Sequence, residues 1–426
     1  MENAATYPKY RWFIMVSYGM TSLVSAIVMI APAPMVGLIS KSYGVSVGQA
    51  TGLMMGSLTL ISFFSAMGGG ALIDKYGYPR NAIIANFMMF IGTILMPLAG
   101  GSLGGAVVLR VIQGIGTGLL VGCSAAIAVM WFPKEQRGIL TGIQGMAISL
   151  GVALAFAFVP VALSATGKWS SAIAVTSIAP AIALILAIIT LFGPKAPEVA
   201  EEHLLPSDGK SDLAVAFRQP VTYVGMLVAV CFYWIYQAFN DLTPGYYSID
   251  PPIGVGYGIA TGSQLMGIMQ VAFLIGAFAS GFVLQKVFKG VAKHALLLSF
   301  ILTAFFTFSV RLPFVYGSKP TALVMMILIG FFMSFLAPVF NAFVSLHYPA
   351  HIAGKIGGFW TAIGTVGGTV GIIVGASFLH FSGNYRMSIA AVSVVALVGL
   401  VLSFFVNPPE IFGGHSKNAK GLSIDK

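Results

Sequence analysis

Tyr233, Gln237, Asn240 and Asp241 recur at i, i+4, i+7 and i+8, so any helix that carries them presents all four on one face. They lie in the run Phe232-Tyr233-Trp234-Ile235-Tyr236-Gln237-Ala238-Phe239-Asn240-Asp241. A few polar groups among aromatic rings suit a mainly apolar pocket that orients a small molecule by hydrogen bonds. Asp241 is the one acid inside an apolar stretch, which makes it the candidate for carrying a proton. Arg110 and Gln113 form a second pair on nearly one helical face. A guanidinium facing a cavity takes an anion in a bidentate fork; one facing the protein caps carbonyls or pairs with an acid. Both readings of Arg110 stay open. Asn341 and Trp360, with Gln264 and Gln270, are the other groups placed to complete a pocket.

These residues must be held by elements that composition already restricts. Of 426 residues, 58% are hydrophobic and only 8% are charged, against about 25% charged in a soluble domain. Disorder is excluded by the same figures, because it needs low hydrophobicity and high charge. The chain reads as an all-α polytopic membrane protein. A crossing needs about 20 apolar residues, and such runs fall near 12–39, 47–73, 81–100, 104–131, 138–163 and 171–193. A second set falls near 221–243, 259–285, 294–313, 320–345, 357–381 and 387–406. The expected organisation is a six-helix bundle over 1–194, a solvated linker over 195–220, a second bundle over 221–406 and a tail over 407–426.

Charge asymmetry orients the spans. Of the 22 Lys and Arg, Lys41, Lys168, Lys319 and Arg386 fall in one set of loops and Arg110 and Arg311 inside spans. The remaining sixteen share a side with the termini, which the positive-inside rule makes cytoplasmic. The halves also echo each other. Phe132-Pro133 and Tyr348-Pro349 each precede a Gly by five positions, at Gly138 and Gly354. Gly70-Ala71-Leu72-Ile73-Asp74-Lys75 answers Gly281-Phe282-Val283-Leu284-Gln285-Lys286. Six spans per half give parallel repeats about an axis along the membrane normal.

The loop Gly70-Ala71-Leu72-Ile73-Asp74-Lys75-Tyr76-Gly77-Tyr78-Pro79-Arg80 resembles the signature G-x-L-x-D-[RK]-x-G-x-[RK]-[RK] of the major facilitator superfamily. Arg110-Val111-Ile112-Gln113-Gly114-Ile115-Gly116 is similar to its R-x-x-Q-G-x-G motif. The resemblance implies twelve transmembrane helices in two parallel-repeat bundles that alternate access. It also implies that Asp74, Lys75 and Arg80 latch the cytoplasmic side in one state. Gly138, Gly142 and Gly145 only partly echo the superfamily's antiporter motif, without its Pro. The first span lacks the acid of many sugar and drug–proton members, and the eighth lacks the Arg of nitrate, oxalate and monocarboxylate members.

The function expected is secondary transport of a small or medium organic anion, with Arg110 as counter-charge and Asp241 available for proton coupling. The alternative within the superfamily is efflux of lipophilic cations recognised by Asp241. A channel would need rings of charge or a filter, a sensor a soluble output domain, and an enzyme a nucleophile, metal or nucleotide motif. Cys123 and Cys231 both sit in apolar runs and read as buried cysteines, not as metal ligands or a disulfide. No cofactor, metal or nucleic acid is expected. The first apolar run is too long for a cleaved signal peptide. A monomer in the cell membrane, both termini cytoplasmic, completes the expectation. Glycines at four-residue steps (Gly114, Gly118, Gly122; Gly367, Gly371, Gly375) predict close helix packing.

Overall fold

The computed structural model describes residues 8–409 apart from 100, 121–122, 134–135 and 195–207. Gly122, Lys134, the linker acids Glu198, Glu201 and Glu202, and the tail from 410 lie outside the described residues, as does the side chain of Asp74. Ten stretches among the described residues are long and apolar enough to cross a membrane. The first bundle holds Arg11–Tyr43, Val47–Ala66, Gly142–Thr166 and Trp169–Thr190 as its first, second, fifth and sixth spans. Its fourth span is divided into Leu103–Gly118 and Cys123–Trp131. The second bundle holds Pro220–Ser248, Ile259–Lys286, Ala292–Ser309, Lys319–His347, Ile352–Ser382 and Tyr385–Ser403 as spans seven to twelve.

Within Ser57–Ile94 the second span ends and the third begins, two helices that meet at the non-helical Gly77. Gly77 has φ +76°, which a side chain would disfavour, and Pro79 follows it. The expected junction between these spans is a tight non-helical turn at Gly77. Tyr78 is buried beside it and its hydroxyl meets Ser17 Oγ at 3.0 Å, tying the kink to the first span. Asn86 Nδ2 donates to Thr21 Oγ1 (3.1 Å) and Asn81 Nδ2 to the Leu119 carbonyl (2.8 Å), so the third span is pinned to the first and the fourth. The linker also departs from expectation. Asp208–Arg218 is helical, and Phe217 packs edge-on against Phe359 of the eleventh span (5.2 Å between ring centroids). Leu213, Ala216 and Phe217 form the apolar stripe that draws this helix onto the bundle.

The glycine steps do what close packing requires. A Cβ built at Gly114 would lie 2.6 Å from the Leu58 carbonyl oxygen, and one at Gly118 2.2 Å from that of Ser62. The fourth span thus rides directly on the second. In the other bundle the eleventh span rides on the seventh: a Cβ at Gly367 would lie 2.2 Å from Val230 O, and one at Gly371 2.9 Å from Trp234. Both cysteines are buried and free.

The two bundles meet in the half of the structure away from the termini, which we call the far face. Ser46 Oγ, at the start of the second span, is 2.7 Å from His380 Nδ1 near the end of the eleventh. Between them Gly48 lies so close to the chain that a Cβ would be 2.4 Å from Ala376 O and 2.5 Å from His380 N. Gly37 faces Ile249 in the same layer, and Gly267 of the eighth span faces Phe156 of the fifth further in. The same stripes find nothing toward the terminal face. Gly358 lies about five full turns from Ala376 on the eleventh span, yet a Cβ there, or at Gly354, would have no neighbour within 4 Å. Gly142 and Gly145 extend the stripe of Ile148 and Val152 on the fifth span into equally open space, and Gly281 does so on the eighth. Among the described residues the bundles are in close contact at the far face, while these glycines of the terminal halves stand over open space.

Gly367→Val should therefore lower the melting temperature by the equivalent of about 1–3 kcal/mol of overpacking. Gly358→Ala, placed on open space, should leave it within experimental scatter. Thermal unfolding of the two purified variants in one detergent checks the pair.

Candidate functional site

Midway through the first span, Pro32 has no N–H to offer the Val28 carbonyl, and the helix breaks into a turn and the short 3-10 segment Ala33–Met35. Across from it the second span opens as a π-turn, Gly52–Gly56, where the regular ladder is interrupted. Arg110 of the fourth span fills the space between these two breaks. It is fully buried. Its Nε donates to Met54 O (2.5 Å), one terminal nitrogen to Val28 O and Gln113 Oε1 (2.7 Å each), and the other to Met29 O (2.9 Å). Gln113 Nε2 in turn donates to Thr93 Oγ1 on the third span (3.1 Å). One guanidinium thus joins three spans through neutral acceptors, and in this conformation it caps carbonyls rather than lining a cavity. Sequence reasoning held both roles open; in this conformation the proline and the π-turn supply the carbonyls that Arg110 meets.

The second bundle contributes the other half of the centre. Gln237 Nε2 donates to Asp241 Oδ2 (2.8 Å), one turn along the seventh span. Asn240 Nδ2 donates to the Tyr236 carbonyl (2.8 Å), and Gln270 Nε2 of the eighth span to Asn240 Oδ1. Asp241, Asn240 and Gln270 are each 1% exposed. Asp241 Oδ1, Gln270 Oε1 and the Tyr236 hydroxyl are buried with no hydrogen-bond partner among the described residues. Native interiors leave few such groups, and each asks for an explanation. Asp241 faces the Arg110 charge across the bundle boundary. A narrow pocket runs along that boundary, with Ala26, Met29, Ile30, Ile148 and Val152 on one wall and Tyr236, Gln237 and Asn240 on the other.

Five of the residues singled out by sequence gather near this boundary: Arg110, Gln113, Gln237, Asn240 and Asp241; Tyr233, one turn from Gln237, packs its ring against Gly364 of the eleventh span inside the second bundle. Gln270 joins them through Asn240. Trp360 and Asn341 are not brought there. Trp360 is buried inside the second bundle, stacked on Phe343 (6.1 Å between centroids, 17°) and pressed against Gly225, where a Cβ would lie 1.9 Å from the indole. Asn341 is exposed on the tenth span, and Gln264 is exposed on the eighth. Lys75 and Arg80 are exposed near the Gly77 kink, with Lys75 Nζ 5.1 Å from the Tyr76 ring centroid. Arg311 reaches outward as expected of a snorkelling side chain, donating to Arg386 O (3.2 Å) over the Phe308 ring. Sequence reasoning missed Tyr236 as a polar group and Ser149 beside it, because both read as members of apolar faces.

The profile of the Major Facilitator Superfamily matches residues 17–359 and, again, 255–424. The chain belongs to that superfamily. Its fold is that of solved superfamily transporters: a D-xylose-proton symporter superposes with a TM-score of 0.76 at 17% identity, covering 94% of this chain and 99% of the other. A bacterial homologue of the human lysosomal transporter Spinster, inward-facing and unoccupied, gives 0.75 at 14% identity over 94% and 98%. Among sequence relatives, a probable sulfoacetate transporter of Cupriavidus necator is 22% identical over 80% of this chain and 81% of its own length. A hexuronate transporter of Bacillus subtilis is 22% identical over 84% and 86%. A nitrite extrusion protein of the same organism is 24% identical over 87% and 90%. The superfamily is one of transporters rather than enzymes.

Because Arg110 satisfies carbonyls on two broken helices, Arg110→Gln should destabilise the protein as well as disable it. Each carbonyl left buried and unpaired costs about 1–3 kcal/mol. Arg110→Lys should rescue little, since an ammonium cannot reach three spans as a planar fork does. Thermal unfolding of both variants, read against wild type, checks this; a wild-type melting temperature in Arg110→Lys would remove the clamp.

Proposed function

We propose that the protein carries a small organic anion across the cell membrane by alternating access, coupled to protons through Asp241. The observation that carries this reading is a fully buried positive charge within the fourth span, Arg110, whose hydrogen-bond partners are all neutral. Such a charge is costly in a low-dielectric interior and favours any anion brought near it. The three relatives are named for sulfoacetate, hexuronate and nitrite, each an anion. Asp241, on the opposite bundle, is the anion that the protein itself supplies. With Asp241 ionised, the two charges balance and a second anion gains little. With Asp241 protonated, Arg110 is left to the substrate. Proton and substrate therefore favour each other's binding by the same factor, as linkage requires.

The terminal face is read as cytoplasmic from its surplus of Lys and Arg, which makes this conformation open inward. In the outward-open state the Ser46–His380 and Gly48–Ala376 seam separates. The glycines on the terminal halves of the fifth, eighth and eleventh spans then let the bundles close there. Asp74, Lys75 and Arg80, at the kink on that face, are the charges available to latch it.

Three measurements test the reading. Carboxylates should raise the melting temperature of the detergent-purified protein, more at pH 5 than at pH 8, and Asp241→Asn should flatten that difference. Stabilisation by lipophilic cations alone would transfer the role to Asp241 as a cation site and end the anion reading. Gly48→Leu should hold the far face open, raising the reactivity of a cysteine placed near it and cutting uptake at least about tenfold; unchanged uptake would show that the seam is no gate.

A further inference from the structure

The loop between the eighth and ninth spans is basic and has no acid of its own to balance it. Lys286, Lys289 and Lys293 fall within eight residues, and no Asp or Glu occurs between Asp250 and Glu410. In the corresponding loop of the first half Asp74 accompanies Lys75 and Arg80; in the second half Gln285 stands in its place. Lys286 and Lys289 are exposed. Lys286 Nζ lies 4.6 Å from the Phe282 ring centroid, and Lys293 Nζ donates to Asn407 Oδ1 (3.0 Å), both uncharged partners. The turn that carries the lysines is held by its own backbone: Gly290 N donates to Leu284 O (2.8 Å) and Val291 N to Phe288 O (2.9 Å).

The helices on either side of this turn set its depth. On the eighth span Ile275, Phe278 and Phe282 form an exposed stripe at helical spacing that reaches Lys286 one turn later. On the ninth, Leu298, Ile301 and Phe305 form another, which starts one turn after the exposed His294. Phe278, Phe282 and Phe305 are 68%, 61% and 65% exposed, so in a bilayer these stripes meet hydrocarbon. The three ammonium groups therefore stand on the terminal face where acyl chains end and headgroups begin. A free anion would use the charge alone. A phospholipid uses both features, its phosphate against the ammonium groups and its chains against the stripes. We propose that this loop binds the headgroup of an anionic phospholipid in the leaflet of the terminal face, through Lys286, Lys289 and Lys293. The site is separate from the bundle boundary and does not depend on what is transported.

Native mass spectrometry of the full-length protein in detergent tests this, with dioleoyl phosphatidylglycerol against dioleoyl phosphatidylcholine, which share acyl chains and differ in net charge. Phosphatidylglycerol should bind about 10- to 100-fold more tightly. Exchanging the three lysines for glutamine (Lys286→Gln, Lys289→Gln, Lys293→Gln) should bring that ratio close to one, and exchanging them for arginine should preserve it. Removing three charges from the far face (Lys41→Gln, Lys168→Gln, Lys319→Gln) should leave it unchanged. Equal binding of the two lipids by wild type would overturn the site, as would a glutamine variant that keeps the preference or a far-face variant that loses it. Displacement of phosphatidylglycerol by micromolar inorganic phosphate would overturn the lipid assignment in favour of a free anion. A preference that emerges only in Glu410→Gln would overturn it in favour of the chain's own tail.

Discussion

A single guanidinium, buried where two helices are broken, is the interaction on which the centre of this protein depends. Proline at position 32 and the π-turn at Gly52–Gly56 each leave backbone carbonyls unserved in a region without bulk water. In hydrocarbon, irregular backbone survives only where the protein itself satisfies it. Arg110 does so for the first and second spans at once. The breaks and the arginine are therefore one device: neither is tolerable without the other. The device leaves a cation at the boundary between two bundles that must move.

The rest of the fold is arranged so that this boundary can open. Within each bundle, glycines bring helices to backbone contact, fourth on second and eleventh on seventh, making each a stiff unit. Between bundles, the tightest contact described is in the far half, where Gly48 meets the backbone of the eleventh span. Close packing inside and sparing contact between is the distribution that permits rocking without internal repacking. Asp241 of the second bundle faces the Arg110 charge of the first across that boundary.

The layout was legible in sequence to within several residues, because an apolar run long enough to cross a bilayer is a one-dimensional property. Charge counting and the Gly70–Arg80 and Arg110–Gly116 motifs needed no coordinates either. The second and third spans were harder. Their junction read as a loop, and it is a tight break at Gly77 beside which Tyr78 buries itself against Ser17. The linker read as solvated from its charges, yet its helix Asp208–Arg218 holds an apolar stripe that packs on the bundle.

Residue type and helical spacing were enough to gather Gln237, Asn240 and Asp241, since four positions on one helix share a face whatever surrounds them. They were not enough to place Trp360 or Asn341, whose direction depends on which helix lies opposite: Gly225 leaves a slot that draws the indole into the bundle. Nor did sequence decide what Arg110 touches. Its partners come from spans about 56 and 82 positions away, and only the packing of three helices brings their carbonyls within reach of one side chain. Composition and pattern determined that the chain spans a membrane in two repeated halves. The tertiary structure decided which polar groups meet, because hydrogen bonds in a dry interior are settled by the neighbours a helix has, not by its own sequence.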